Sequence, residues 1–211
     1  MCDESRDAVI SAHRARRQRC ERCIRPVAHC LCSLIALLPS RTRVLVIQHP
    51  DETKHALNTA RFVALGLENS QLIVAETVEN LEEYLQQSGY TACVLFPGEQ
   101  AQTLSAYQQD EQPWLLVVPD GTWRKARKLL HCNPLLAALP RVTLPDGLNS
   151  RYRLRKAPSA ESLATVEAVT YALSVLEPEA DFSGLLRPFD ALIEGQIQAM
   201  GADVYQRHHR R

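Results

Sequence analysis

Three groups of residues in this sequence have the types and spacing for chemistry. The first is Asp120-Gly121-Thr122-Trp123-Arg124-Lys125-Ala126-Arg127-Lys128, a carboxylate followed by an aromatic ring and four cations. A carboxylate at a ligand crevice can accept a proton as a general base, and the cations beside it favour an anionic partner. The second is Cys20-x-x-Cys23 followed by Cys30-x-Cys32, two pairs separated by six residues. Four thiolates this close can enclose a tetrahedral Zn²⁺ and leave no open coordination position, which makes such a centre structural. His29 is an alternative ligand within the same stretch. A third feature is Arg151, Arg153 and Arg155 alternating with Tyr152 and Leu154, followed by Lys156. In an extended segment this alternation puts three guanidiniums on one side, suited to clamping phosphate or carboxylate.

These residues need strands that end in loops to position them. Trp114-Leu115-Leu116-Val117-Val118 is a short apolar run that reads as a fully buried strand. Pro119 is expected to end it, Gly121 to allow a sharp turn, and Thr122 to cap the helix that follows. Asp120 is then placed at the carboxyl end of a strand, where open α/β sheets bind ligands. Trp123, Ala126 and Leu130 share one face of the helix, and the four cations crowd the rest. Other strands are expected over 42–48, 72–75, 91–96 and 141–144. Helices are expected over 54–67, 78–87, 102–108, 159–176 and 182–200, the last interrupted at Pro188. Thr165 and Glu167 fall near the start of the fourth of these helices. The strand over 91–96 runs into Pro97 and Gly98, where glycine lets backbone approach a ligand closely. His49, after the first strand, reads as a structural loop histidine. Strands alternating with helices predict an α/β fold with a mostly parallel sheet and flanking helices.

Composition narrows the classes. A chain of 211 residues with 45% apolar and 23% charged residues is an ordinary globular protein. No run approaches the roughly 20 apolar residues that span a bilayer, so no membrane association is expected. Met-Cys-Asp-Glu-Ser-Arg lacks the apolar core of a signal peptide, which predicts a cytoplasmic protein with thiols rather than disulfides. Cys2, Cys93 and Cys132 are isolated and read as core or incidental. Net charge is zero, yet the segments 1–45, 46–119, 120–156 and 157–211 carry +5, −8, +7 and −4. Two basic blocks separated by an acidic one suit a polyanion such as RNA. The Arg-rich arm over 1–19 and the basic tail over 206–211 are expected to be loose. There is no GxGxxG, Walker-A loop or GxSxG elbow.

Six motifs occur in one order: the four cysteines; His49-Pro50-x-Glu52 with Asn58-Thr59; Leu95-Phe96-Pro97-Gly98; Asp120-Gly-Thr122-Trp123; Tyr152-Arg153-x-Arg155-Lys156; and Thr165-x-Glu167-Ala168. Together they resemble the DTW-domain family, named for its Asp-x-Thr-Trp signature, over roughly residues 20–200. The resemblance implies a fold similar to the SPOUT-type RNA methyltransferases, knotted in the C-terminal half and binding S-adenosylmethionine (SAM) at strand ends. It divides the chain into a basic arm with a four-cysteine zinc-binding module over 1–40 and a catalytic α/β domain over 41–211. It also implies transfer of the 3-amino-3-carboxypropyl group of SAM to N3 of a uridine in the tRNA variable loop, releasing 5′-methylthioadenosine. The enzyme would be a monomer or homodimer.

On this reading Asp120 takes the N3 proton, with Thr122 and Trp123 shaping its turn, or else Asp120 holds SAM's ammonium group. Leu95, Phe96, Pro97, Gly98, Val118 and Thr165 would line the SAM site, with Phe96-Pro97-Gly98 as the wall for adenosine. Arg155 or Arg153 would meet the SAM carboxylate, and Glu167 would bind its amino group or orient that arginine. Arg124, Lys125, Arg127, Lys128, Arg151 and Lys156 would face tRNA phosphates. A SPOUT-type methyltransferase and a non-catalytic zinc-dependent RNA-binding protein are the competing readings.

Overall fold

The computed structural model describes residues 18–86, 88–107, 112–152 and 163–209. Outside them lie the arm over 1–17, Cys2, Gln87, Gln108, Arg153, Arg155, Lys156, the expected helix start at Ser159, and residues 210–211.

Six strands form one sheet: β1 (Arg43–Gln48), β2 (Ser70–Val74), β3 (Thr91–Leu95), β4 (Gln102–Thr103), β5 (Trp114–Asp120) and β6 (Arg141–Thr143). Their order is β2-β1-β5-β3-β6-β4, and every pairing is parallel. The strand carrying Asp120 thus sits between β1 and β3, although it follows both in sequence. Alternate residues of each strand face opposite sides of the sheet, so both faces must be covered, and continuous apolar runs such as Leu115–Val118 serve both. Val44, Val46, Leu116 and Val118 pack with Phe62 of α1 (Ala60–Gly66), Val169 of α5 (Thr165–Leu176) and Phe189 of α6 (Arg187–Met200). Leu45, Ile47, Leu115 and Val117 pack with Leu81 of α2 (Leu81–Leu85), Leu129 of α3 (Trp123–Cys132) and Leu136 of α4 (Pro134–Ala137). The result is a three-layer sandwich.

Several elements differ from the sequence expectation. Pro119 does not end β5; it lies within the strand, opposite Ile47. Asp120 directs its carbonyl toward β1, where the N–H of His49 donates to it at 3.0 Å. By alternation the missing donor of Pro119 faces the β3 side, where pairing has already stopped at Val117. Of the helix expected over 54–67, only Ala60–Gly66 is α-helical, preceded by a 3-10 turn at Pro50–Lys54. Between the two, Asn58 turns its side chain to Gln48 and to the carbonyl of Glu52, away from helical use. The expected helix over 102–108 is instead β4 and a 3-10 turn, Leu104–Tyr107, because the short stretch pairs with the open edge of β6. The helix expected over 78–87 contracts to α2, five residues at Leu81–Leu85. Leu163 and Ala164 are not helical; α5 begins at Thr165, where Glu167 accepts from the backbone N–H of Ala164 at 2.8 Å. Pro188 does not interrupt α6 but occupies its first turn, where a helix has no intrahelical donor to lose. Of the tail expected to be loose, residues 206–209 belong to α7 (Ala202–His209).

The cysteine segment is fastened to the main body. Arg25 donates to the carbonyls of Ala56 at 3.1 Å and Asn58 at 3.4 Å and lies over the ring of Phe62. Leu38 exchanges backbone hydrogen bonds with Gly66 and Glu68, while Leu31 and Ile35 pack on the α1/α5/α6 core.

Candidate active site

Asp120 is the last residue of β5 and stands in register with Gln48, the last residue of β1. Both are buried. Gln48 donates from Nε2 to Asp120 Oδ2 at 2.7 Å, and the hydroxyl of Thr165 donates to Oδ1. Gln48 is held by a reciprocal amide pair with Asn58, at 3.1 and 3.2 Å. Asn58, Gln48, Asp120 and Thr165 therefore form one chain of hydrogen bonds joining the ends of β1 and β5 to the start of α5. Burial pushes the Asp120 carboxyl above the ordinary aspartate range, against the opposing bonds from Thr165 and Gln48. Its proton affinity is thus raised toward the working range of a base.

The turn after Asp120 is set by Gly121, at φ +155°, where a Cβ would lie 3.0 Å from Lys125 Cβ. Thr122 caps α3 as expected, its hydroxyl accepting from the N–H of Lys125 at 3.4 Å. Trp123 is 48% exposed, and its ring meets that of Phe96 edge-on at 5.7 Å.

A cavity of about 360 Å³ opens at the carboxyl ends of β3, β5 and β6. Leu95, Phe96 and Pro97 line it from β3, Val118 and Pro119 from β5, Trp123 and Ala126 from α3, and Thr165 and Ala168 from α5. Residues 142–148, after β6, close the remaining side. The structure so brings together Leu95, Phe96, Pro97, Val118, Trp123 and Thr165. Asp120 is not part of the wall and meets it through Thr165. Gly98 also lies off the cavity: a Cβ there would come within 2.7 Å of Arg141 Nη1, so the missing side chain makes room for that arginine rather than for a ligand. Glu167 is fully buried, and its oxygens accept from Ser150 Oγ at 2.8 Å, Arg151 N at 2.6 Å and Ala164 N at 2.8 Å. It ties the segment entering residue 151 to the start of α5.

The cations are unequally placed. Lys125 pairs with Glu52 at 2.7 Å and Asp51 at 3.7 Å, Lys128 with Glu76 at 2.7 Å, and Arg151 with Asp190 at 3.0 Å. Arg124 and Arg127 are exposed on α3. The bond to Glu52 raises the Lys125 pKa, and the bond from Lys128 lowers that of Glu76. His49 is buried, with Nε2 3.1 Å from Glu76 and Nδ1 accepting from the N–H of Asp51 at 3.3 Å, an arrangement that calls for the Nε2–H tautomer. It anchors the 49–52 loop, a structural role.

The sulfur atoms of Cys20, Cys23, Cys30 and Cys32 all lie within 4.8 Å of one another. The Cys20–Cys32 and Cys23–Cys30 separations are 3.6 and 3.8 Å, matching the roughly 3.8 Å that tetrahedral Zn–S bonds of about 2.3 Å require. Backbone hydrogen bonds from Cys23 and Arg22 hold the Cys20 thiol down to about 6, while burial and the neighbouring sulfurs push Cys32 up to about 12. A divalent cation resolves that imbalance because it binds thiolates. His29 is not in the cluster.

Sequence reasoning missed Gln48 as the partner of Asp120. The sequence marks Gln48 only as a polar residue closing an apolar strand, which places it at a strand end but does not name its partner. Asn58 was visible only within a motif, without a role.

Among known proteins, the chain is 32% identical over 195 residues to tRNA-uridine aminocarboxypropyltransferase 2 of Macaca fascicularis, covering 87% of this chain and 65% of that one. It is 30% identical over 193 residues to the Drosophila melanogaster protein of that name, covering 86% and 76%. Identity to tRNA-uridine aminocarboxypropyltransferase A of Arabidopsis thaliana is 29% over 221 residues, covering 86% and 83%. The chain spans just under two thirds of the macaque and mouse relatives. No solved structure matches significantly. The DTW domain pattern matches residues 17–197, which include every residue of the hydrogen-bonded chain around Asp120, and the chain belongs to the DTW domain family.

Proposed function

We propose that this protein transfers the 3-amino-3-carboxypropyl group of SAM to N3 of a uridine in the variable loop of tRNA, in the cytoplasm. The observation that carries the reading is Asp120: a buried carboxylate of raised proton affinity, linked through the Thr165 hydroxyl to a cavity at the strand ends. The names of the relatives support the same reaction.

Uridine N3 keeps its proton at neutral pH and is a poor nucleophile until it loses it. Thr165 stands at the cavity wall, so its oxygen accepts the N3 proton while its own proton passes to Asp120 Oδ1. Gln48, fixed by Asn58, keeps the other carboxylate oxygen in place. Phe96, Pro97, Val118 and Leu95 offer an apolar wall that fits adenosine. When bound, SAM supplies a carbon activated by its sulfonium, and its by-product departs neutral without an acid. The work left to the chain is deprotonation and alignment. Arg153 or Arg155 meets the SAM carboxylate, and Glu167 acts by holding the chain at Arg151 rather than by contact. Arg124 and Arg127 face tRNA phosphates; Lys125, Lys128 and Arg151 join them by exchanging carboxylate partners. The cysteines hold a structural Zn²⁺ within a module over residues 1–40 attached to a catalytic domain over 41–211. A SPOUT-like knot in the C-terminal half rests on the family resemblance, and the insertion of β5 between earlier strands is compatible with it.

Nucleoside analysis of tRNA from a strain lacking the gene tests this reading. Loss of aminocarboxypropyl-uridine, restored by the gene on a plasmid, is expected. An unchanged signal, or loss of a methylated uridine instead, contradicts it.

A further inference from the structure

A second cavity, of about 580 Å³, adjoins the first at the Phe96–Trp123 pair. Phe96, Pro97 and Trp123 line both, so the two aromatic rings form a shared wall. The remaining lining is unlike that of the first cavity. Trp123, Arg127 and His131 recur at every fourth residue and so form one ridge along α3. Arg141 enters from β6, its guanidinium 5.9 Å from the centre of the Phe96 ring. Gly98 leaves the space that this side chain fills, since a Cβ there would come within 2.7 Å of Nη1. Among the described residues that line this groove, none is acidic. None of Arg127, His131 and Arg141 takes part in an ion pair among the described residues, in contrast to Lys125 and Lys128 on the same helix.

We infer that this groove seats a nucleotide of single-stranded RNA next to the acceptor: its base stacks on Trp123, and its phosphate is held by Arg127 and Arg141 with His131 beside them. Three nitrogenous groups with no acidic residue in the lining suit an anion. An indole that is 48% exposed and lines the groove suits a planar ring. A nucleotide joins the two, and unstacked bases of RNA loops are recognised by this combination of aromatic platform and arginine. The shared Phe96–Trp123 wall places that nucleotide beside whatever base enters the first cavity. The assignment of that base as the acceptor uridine rests on the function proposed above.

Binding is measured without reference to transfer, so that the two proposals fail separately. Trp123 is the exposed tryptophan and Trp114 is buried, so RNA stacked in the groove quenches the exposed emission. The full chain is titrated with tRNA, with a uridine tetranucleotide and with UMP, and SAM binding is followed by calorimetry. Quenching by tRNA and by the tetranucleotide is expected. Arg127→Ala and His131→Ala should each weaken it about tenfold while leaving the SAM Kd within about twofold of the parent. Equal tRNA affinity in parent and variants, or no quenching by any RNA, overturns the nucleotide seat. So does saturation by UMP at the same concentration as tRNA, which marks a free-nucleotide site. Release of methylthioadenosine is assayed alongside. If none is released while quenching follows the expected pattern, the seat stands and the transfer reaction falls; normal release with RNA affinity unchanged by the variants gives the reverse.

Discussion

At the scale of single residues, the proposed function assigns the chemistry to Asp120 and Thr165, and the two make separable predictions. Asp120→Asn removes the base but keeps the shape: its amide oxygen can accept from Gln48, and its NH₂ can donate to the Thr165 oxygen. Transfer should fall at least about 100-fold with SAM affinity preserved. Loss of SAM binding by calorimetry would instead mark Asp120 as a ligand of the SAM ammonium group. Burial raises the folded-state pKa of Asp120, so its contribution to folding is favourable below the unfolded aspartate pKa and is lost as pH rises through the folded one. The Asp120→Asn variant should therefore melt at or above the parent Tm at pH 7, with the difference vanishing in acid. Thr165→Val tests the second residue. The Thr165 bond lowers the Asp120 pKa, so its removal lets burial raise that pKa further. The rising limb of the residual pH–rate profile should move to higher pH, and an unmoved limb would disconnect Thr165 from the base. Asp120 was legible in the sequence as a carboxylate at a strand end. Gln48 was not legible as its partner, because that pairing depends on β1 and β5 being neighbours, which no local pattern reveals.

At the scale of elements, the start of α5 and the segment before residue 152 are held by one buried carboxylate. Glu167→Ala leaves the N–H groups of Arg151 and Ala164 and the Ser150 hydroxyl without their acceptor. A cost of about 3 kcal/mol or more, read as a Tm lower by roughly 6–12 °C, is expected. A shift under about 2 °C would show that water replaces the carboxylate. The strands were largely legible because apolar runs bounded by Gly, Pro and polar residues mark buried parallel strands well. Two of the misjudged stretches share one cause, contacts distant in sequence. The stretch over 55–59 leaves the helical path because Asn58 reaches Gln48. Residues 102–103 become a strand because β6 offers an edge. Pro119 sits where its missing donor faces the side of β5 on which pairing with β3 has stopped, and Pro188 sits in a first turn, where a helix has no donor to lose. The pairing of Lys125 and Lys128 with Glu52 and Glu76 likewise required the fold.

At the scale of the whole molecule, charge segments that sum to zero along the chain become a mixed surface in which acidic residues of the 49–76 region neutralise part of the basic helix. What stays available is the face bearing Arg124, Arg127, His131 and Arg141, beside the aromatic wall. The cysteine module is tied to α1 through Arg25 and Leu38, so metal loading should stabilise the whole body and not the module alone. Purified protein should carry close to one zinc per chain by atomic absorption, and Cys23→Ser should lose it together with several degrees of Tm. Retention of full zinc in that variant would remove Cys23 from the ligand set. Among the described residues no helix is long and apolar enough to cross a membrane. The most direct test of the central claim is the by-product formed when the protein is incubated with SAM and unmodified tRNA. Methylthioadenosine should accumulate in step with aminocarboxypropyl-uridine, and S-adenosylhomocysteine in its place would make the protein a methyltransferase and contradict the account.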